Sequence, residues 1–512
     1  MSLFLFQGYV QVVGEMPFRV HLYCEQQIDL YVEYCKKEAY SFVHIDATSG
    51  VIGRLKDQGP PLLYTMLIKT GDDPINNIPV AHSILTDNAV PSISYFLGDV
   101  AHAITNYKKK LVLPSFFVID FSAALMNSIL QSFNGENINT HLARCWNVIG
   151  RKYNKVQLRL LSFIHLCCCH VIHAIARSLT QANMDKETRK KLLYIFALIL
   201  CGNDIEQLYD LLGELIEIFG DPNEQNAKKK FDRIVKRELY IDEESAELLT
   251  NGDKILANAE KDEDFILVDE YLRSSTAIIH QSPFNLEAIK RYPVIKDLLN
   301  NKSKLANNGN PLFSRSIIRV IYRWWAYLPL WTGLLWNFEE RYACDFTKTV
   351  TLPYHPLRYS NAVLESYFNY YKTSILQKKS RNTPGDLIQA THRSIKVQLK
   401  GLKYDVKLNP KGRKRRKKDI TPVEKHKKGA AKARRAVYVG LVDKAIRLKA
   451  QNNINDQQPY IGTIQERYTC PRKYTVFKFS LFSESENESI SLRSSNQSSP
   501  VSNRGDVNID PM

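Results

Sequence analysis

The chain has 512 residues, 44% apolar and 24% charged, a balance that excludes a wholly disordered or collagen-like polymer and leaves room for two or three packed domains. Its net charge of +17 is concentrated: residues 401–450 carry 18 Lys and Arg against 4 Asp and Glu, so the rest of the chain is close to neutral. A block of this kind attracts a polyanion and excludes an evenly basic fold as the source of the charge.

In chain order, the first 16 residues are apolar but have no basic start and no clear cleavage site, which argues against a signal peptide. Phe42–Gly50 (FVHIDATSG) is a run of strand formers that leads into Asp46. Leu62–Lys69 and Ile78–Leu85 read as the next two strands, joined by a polar turn. Ser92–Tyr107 has helical spacing, with Ile93, Phe96, Leu97, Val100 and Ile104 on one side. Leu111–Ile119 reads as a fourth strand, running into Asp120, and Phe121–Phe133 as a helix. Three strands, a helix, a strand and a helix is the order of a ribonuclease-H-like α/β core.

From about residue 155 to 345 the pattern turns helical, with apolar three- and four-residue spacing in Leu158–Ser178, Glu187–Cys201 and Asp204–Phe219. Residues 222–262 are polar and read as exposed helices and loops. Trp324, Trp325, Trp331 and Trp336 read as the core of a helix pair broken at Pro329; stacking on bases is the other use of such aromatics. Leu192–Cys201 is too short to cross a bilayer, and Ile317–Trp336 is interrupted by Arg319, Arg323 and Pro329, so no membrane partner is expected. Asn361–Leu376 reads as a helix, residues 400–450 as the basic block, and residues 480–512, rich in Ser and Asn, as a disordered tail.

A carboxylate at the end of a buried strand is costly unless it meets a cation or a hydrogen-bond donor. Asp46 and Asp120, on neighbouring strands, therefore suggest a shared metal ion, with Glu365 as a third ligand from downstream. Oxygen-only ligands favour Mg²⁺ or Mn²⁺. The plainer reading makes the two aspartates turn residues and Glu365 a solvated helix position. Cys167, Cys168, Cys169, His165, His170 and His173 invite a zinc reading, but adjacent side chains point apart. Cys169 and His173, four residues apart, can share one ion, and buried small cysteines on an apolar helix are the alternative. Nine scattered cysteines make no disulfide framework and suit a reducing compartment. Lys411, Arg413, Lys414, Arg415, Arg416, Lys417 and Lys418 can neutralise phosphates without reading base sequence, and they also read as a nuclear import signal.

The segments HIDATSGVI, VIDFSAALMNSILQSFN, IHLCCCHVIHAIAR and SNAVLESYFNYYK, in that order, resemble Mutator-like (MULE) transposases. The resemblance spans roughly residues 18–380. It implies a ribonuclease-H-like DDE core interrupted by a large α-helical insertion. Residues 1–155 would form the first part of the core, 156–350 the insertion, 351–400 the core completion and 401–450 the DNA-binding and nuclear-import segment. It further implies catalytic carboxylates Asp46, Asp120 and Glu365 holding two Mg²⁺ (or Mn²⁺) ions, and DNA cutting and joining by two-metal catalysis. Cys167 and His170 fit the family's Cys-x-x-His motif, which puts His170 near the active site. DNA is the implied partner, the nucleus the location, and a homodimer the assembly. The family usually carries a zinc-finger domain ahead of the core. Here 45 residues precede Asp46, with Cys24 and Cys35 but no zinc-finger spacing. This reads as a truncated or domesticated copy, with a separate DNA-recognition partner. The alternatives are a catalytically inactive nuclear DNA-binding protein that retains the fold, and a simple Mg²⁺-dependent nuclease.

Overall fold

The computed structural model describes residues 8–38, 41–70, 77–158, 160–182, 184–238, 275–300, 307–335, 360–404, 464–469 and 475–479. Strands β1 (Val10–Glu15) and β2 (Phe18–Leu22) form a hairpin ahead of helix α1 (Glu25–Lys37). An antiparallel meander follows: β3 (Phe42–Thr48), β4 (Leu62–Lys69) and β5 (Asn77–Leu85). Helix α2 (Val90–Lys108), begun by Pro91, carries the chain back to β6 (Phe116–Ile119), which pairs parallel with β3. Helix α3 (Ala123–Ile129), a π-turn over Leu130–Asn134, α4 (Ile138–Ile149) and α5 (Lys155–Leu158) lead to β7 (Phe163–Leu166), parallel to β6. The seven strands make one mixed sheet in the order β1-β2-β5-β4-β3-β6-β7.

Two sequence expectations need correction. Leu158–Ser178 is not helical throughout, because Phe163–Leu166 is the edge strand β7 and the helix starts only at Cys168. The fourth predicted strand is shorter than Leu111–Ile119: Pro114 has no N–H to give to a ladder, and pairing starts at Phe116.

A helical region follows β7: α6 (Cys168–Thr180), α7 (Lys186–Leu200), α8 (Ile205–Gly220), α9 (Ala227–Glu238), α10 (Thr276–Gln281), α11 (Pro283–Arg291), α12 (Val294–Leu299), α13 (Arg315–Trp325) and α14 (Leu328–Trp331). The expectation of exposed segments after residue 222 holds only in part, since Ala227, Phe231, Ile234 and Val235 of α9 are buried. Trp324, Trp325 and Trp331 are fully buried, and Trp331 Nε1 donates to the Trp324 carbonyl at 3.0 Å. They are the core of this region, and α14 packs against β7. Trp336 lies outside the described residues.

The chain then returns to the sheet with α15 (Ala362–Tyr370), a π-turn over Tyr371–Ile375 and α16 (Pro384–Tyr404). Strand alternation divides the core. On β4, Tyr64, Met66 and Ile68 join the larger cluster with α1, α2 and the helical region, while Leu63 and Leu67 join a smaller one with Val363, Leu364, Tyr367 and Tyr371. Helix α15 therefore covers the face opposite α2 and touches β3, β4 and β5.

Residues 454–512 form a separate unit, in which β8 (Ile464–Thr469) and β9 (Thr475–Phe479) pair antiparallel. The basic run 411–418 and the 480–512 tail lie outside the described residues. Among the described residues, no helix is long and apolar enough to cross a membrane.

Candidate metal centre

The site follows from strand register. Ile45 of β3 pairs with Ile119 of β6, and Ile119 with Leu166 of β7. One residue further on stand Asp46, Asp120 and Cys167, side by side at one end of three parallel strands. Cys167 is locked to this level by its N–H, which donates to the Ile119 carbonyl at 2.7 Å. Asp46 lies opposite Thr65 on β4, so its side chain takes the face of Leu63 and Leu67, the face that α15 covers. Asp120 shares the parity of Val118, which pairs with His44, and so points to the same face as Asp46.

The two aspartates are placed differently. Asp46 is half-buried and accepts one hydrogen bond, from the Ala47 N–H at 2.7 Å. Burial, and then the charge of Asp120, hold the Asp46 carboxyl well above the ordinary carboxylate range, and His170 only partly offsets this. Asp120 is better served. Asn361 Nδ2 donates to its Oδ1 at 2.7 Å, and His170 Nδ1 lies 3.0 Å from the same oxygen. His170 stands in the first turn of α6. Burial alone would lower its pKa, but the charge of Asp120 and contact with Cys167 outweigh it and hold the imidazole well above its ordinary value. Burial pushes the Cys167 thiol up.

Asn361 joins the two halves of the site. It caps α15, its backbone N–H points at Cys167 Sγ at 3.3 Å, and its side chain holds Asp120. Glu365 is one helical turn further on, half-buried, with its N–H on the Asn361 carbonyl at 2.9 Å. Helix α15 thus enters the structure at Asp120 and carries Glu365 over the face to which Asp46 points.

The donor chemistry fits a cation. Asp120, Cys167 and His170 offer ligand atoms that all lie within 4.8 Å of one another. Thr65 Oγ1, across from Asp46, and Asn361 Oδ1 are buried oxygens without a hydrogen-bond partner among the described residues. A carboxyl whose pKa is raised by burial and by a neighbouring carboxylate, beside oxygens left over, sits in surroundings that suit an oxygen-ligated divalent ion.

The ligand atoms that come within 4.8 Å of one another among the described residues are those of Asp120, Cys167 and His170. Asp46 stands beside Asp120 on the next strand and Glu365 one helical turn beyond Asn361, and the expected trio Asp46, Asp120 and Glu365 does not form a group of that size. Sequence reasoning missed Asn361 and Thr65. Asn361 carried a signal, because Ser-Asn ahead of an apolar run is a helix start; nothing local marked Thr65. The Cys and His residues that converge are Cys167 and His170, three apart across the start of α6, while Cys169 and His173 do not form such a group with a third ligand among the described residues. No protein-family model matches this chain, and no curated protein matches it.

Proposed function

We propose that the protein transfers DNA phosphodiesters, as a Mutator-like transposase or a domesticated derivative of one, on a ribonuclease-H-like core. One observation carries the reading: Asp46 and Asp120 stand at the same level of adjacent parallel strands, on the same face, with burial and mutual charge raising the Asp46 pKa. The topology supports it. An antiparallel meander is followed by two parallel strands, and a long helical region separates Asp120 from the helix of Glu365.

Asp46, Asp120 and Glu365 would hold Mg²⁺ or Mn²⁺, which supplies activation of an attacking oxygen and stabilisation of a leaving one. The remaining work falls to side chains. Asn361 and His170 both meet Asp120 Oδ1 and would orient the carboxylate toward a cation. His170, kept cationic beside the carboxylates, adds positive charge where a scissile phosphate must approach. The Lys411–Lys418 run would hold DNA without sequence preference and direct the protein to the nucleus. Handling two DNA ends together calls for a homodimer.

The test is nicking and strand joining on labelled DNA duplexes with Mn²⁺, comparing the native chain with Asp46→Asn, Asp120→Asn and Glu365→Gln. All three variants should lose cutting and keep salt-sensitive DNA binding. Cutting that survives in both aspartate variants sinks the catalytic assignment. A native chain that binds DNA but never cuts identifies the domesticated, inactive form. Cutting without joining identifies a nuclease. Neutralising Lys411–Lys418 should weaken binding uniformly and flatten its salt dependence by roughly 0.9 log units per log of salt for each phosphate left without its cation.

A further inference from the structure

The donors around Asp120 are not all of one kind. Asp46 and Glu365 add oxygen, but Cys167 and His170 add sulfur and nitrogen, which Mg²⁺ does not seek. Cys167 forms the floor of the group at 1% exposure, while Asp120 and His170, each 27% exposed at the side chain, form its rim and leave an ion a way in. Tetrahedral zinc, with bonds of about 2.0–2.3 Å, needs donors somewhat closer together than the 4.8 Å limit within which these three lie. Rotation of the half-exposed His170 and Asp120 side chains supplies that movement.

The surroundings are those of a metal ligand set. Ligands are commonly oriented by outer hydrogen bonds, and here one residue serves two of the three: Asn361 directs its backbone N–H to Cys167 Sγ and its side-chain amide to Asp120 Oδ1. The remaining polar atom of that side chain, Oδ1, is buried without a hydrogen-bond partner among the described residues. It is an acceptor left over beside a group of ligands.

We propose that Asp120, Cys167 and His170 bind one zinc-class ion, and that this ion takes Asp120 away from the oxygen-only site it would share with Asp46. The binding itself stands on the three donors. Its consequence, inhibition of Mg²⁺-dependent cutting by zinc, rests on the function proposed above. The ion enters as the Cys167 thiol and the His170 imidazolium each release a proton to water and Asp120 binds as its carboxylate, and no electron transfer is involved.

The experiment is a cobalt titration of the reduced, chelator-treated full chain, read by the thiolate-to-cobalt charge-transfer band and the visible bands of tetrahedral cobalt, with zinc as competitor. The native chain should show one thiolate ligand per chain, displaced by zinc. Cys167→Ser should lose the charge-transfer band. His170→Ala, at a half-exposed position that the fold tolerates more easily, should weaken cobalt binding and alter the visible bands. Asn361→Ala should weaken it by about 10–100-fold. Cys168→Ser, Cys169→Ser and Asp46→Asn should leave the thiolate band in place. A band that survives Cys167→Ser, one that follows Cys169, or no thiolate band at all overturns the site. Because the spectrum needs no DNA, a chain that binds cobalt as described but never cuts defeats the catalytic reading and leaves the zinc site standing. A chain that cuts with Mg²⁺ but shows no thiolate band does the reverse.

Discussion

Two polar clusters lie along the same helix, α15, and they are completed differently. At its first turn, Asn361 meets Asp120, His170 and Cys167. Two turns on, Tyr367 and Tyr371 meet His82 of β5, Tyr9 and Thr391. The second cluster is closed and neutral. His82 Nε2 lies 2.9 Å from Tyr367 Oη and its Nδ1 3.4 Å from Tyr9 Oη, while the Tyr371 and Thr391 hydroxyls pair with each other and Thr391 donates on to the Leu387 carbonyl at 2.6 Å. Burial pushes the His82 pKa down to about 3, so the ring stays uncharged. The first cluster is charged and half-open, and it leaves the buried Asn361 Oδ1 without a hydrogen-bond partner among the described residues. A saturated network holds a helix in place. An unsaturated one at the other end of that helix has capacity left for a ligand.

The comparison predicts opposite outcomes for substitution at the two ends. The largest effect belongs to Asp120→Asn, which keeps the shape of the side chain and removes its charge. Cutting should be abolished while the variant stays folded in urea titrations, the stability it loses being that of the His170–Asp120 pair, about 1–3 kcal/mol. A variant that is inactive because it has unfolded would erase the contrast.

His82→Phe should do the reverse. It fills much the same space but strands the hydroxyls of Tyr9 and Tyr367 in the interior. Leaving buried donors unmatched costs about 1–3 kcal/mol each, so the loss should be about 2–4 kcal/mol by urea denaturation. Under conditions where the variant remains folded, its metal binding should match that of the native chain. A stable His82→Phe protein with impaired metal binding would mean that the two clusters are not separate in role.

How much of this was legible in the sequence depended on whether a segment buries one face or two. Strand β4 and α2 came within a residue or two of their boundaries, and so did the stretch of α15 with the π-turn that ends it, because each has a recognisable period or a clear polar border. Strand β7 did not. It is four residues long and buried on both faces, so FIHL has no alternation and merges into the apolar helix that follows. That omission hid the site's third strand end, and with it the placing of Cys167 beside Asp120. The aspartates themselves were visible as charges that interrupt apolar runs. Asn361 was less so: its position at a helix start could be read, but its partners lie 241 and 194 residues away in sequence.

The smallest effect is the pH dependence of the open cluster, and its sign follows from Asp46. An Asp titrates near about 3.9 in an unfolded chain, and in the folded protein burial and Asp120 hold Asp46 well above that. Below the unfolded value both states are protonated and folding carries no penalty. As pH rises past it, the unfolded chain releases its proton first, so the fold loses stability until the folded pKa is passed. His170 shifts upward from an ordinary value of 6.5, so its own contribution is lost only above that pH. The interval from about pH 4 to 6 therefore isolates the carboxylate. With a chelator present, the native chain should lose stability across that interval relative to Asp46→Asn, and Mn²⁺ should remove the difference by matching the charge. Parallel curves for the two proteins would mean that water already compensates Asp46. The open cluster would then be an ordinary patch of surface, with no more capacity for a ligand than the closed one.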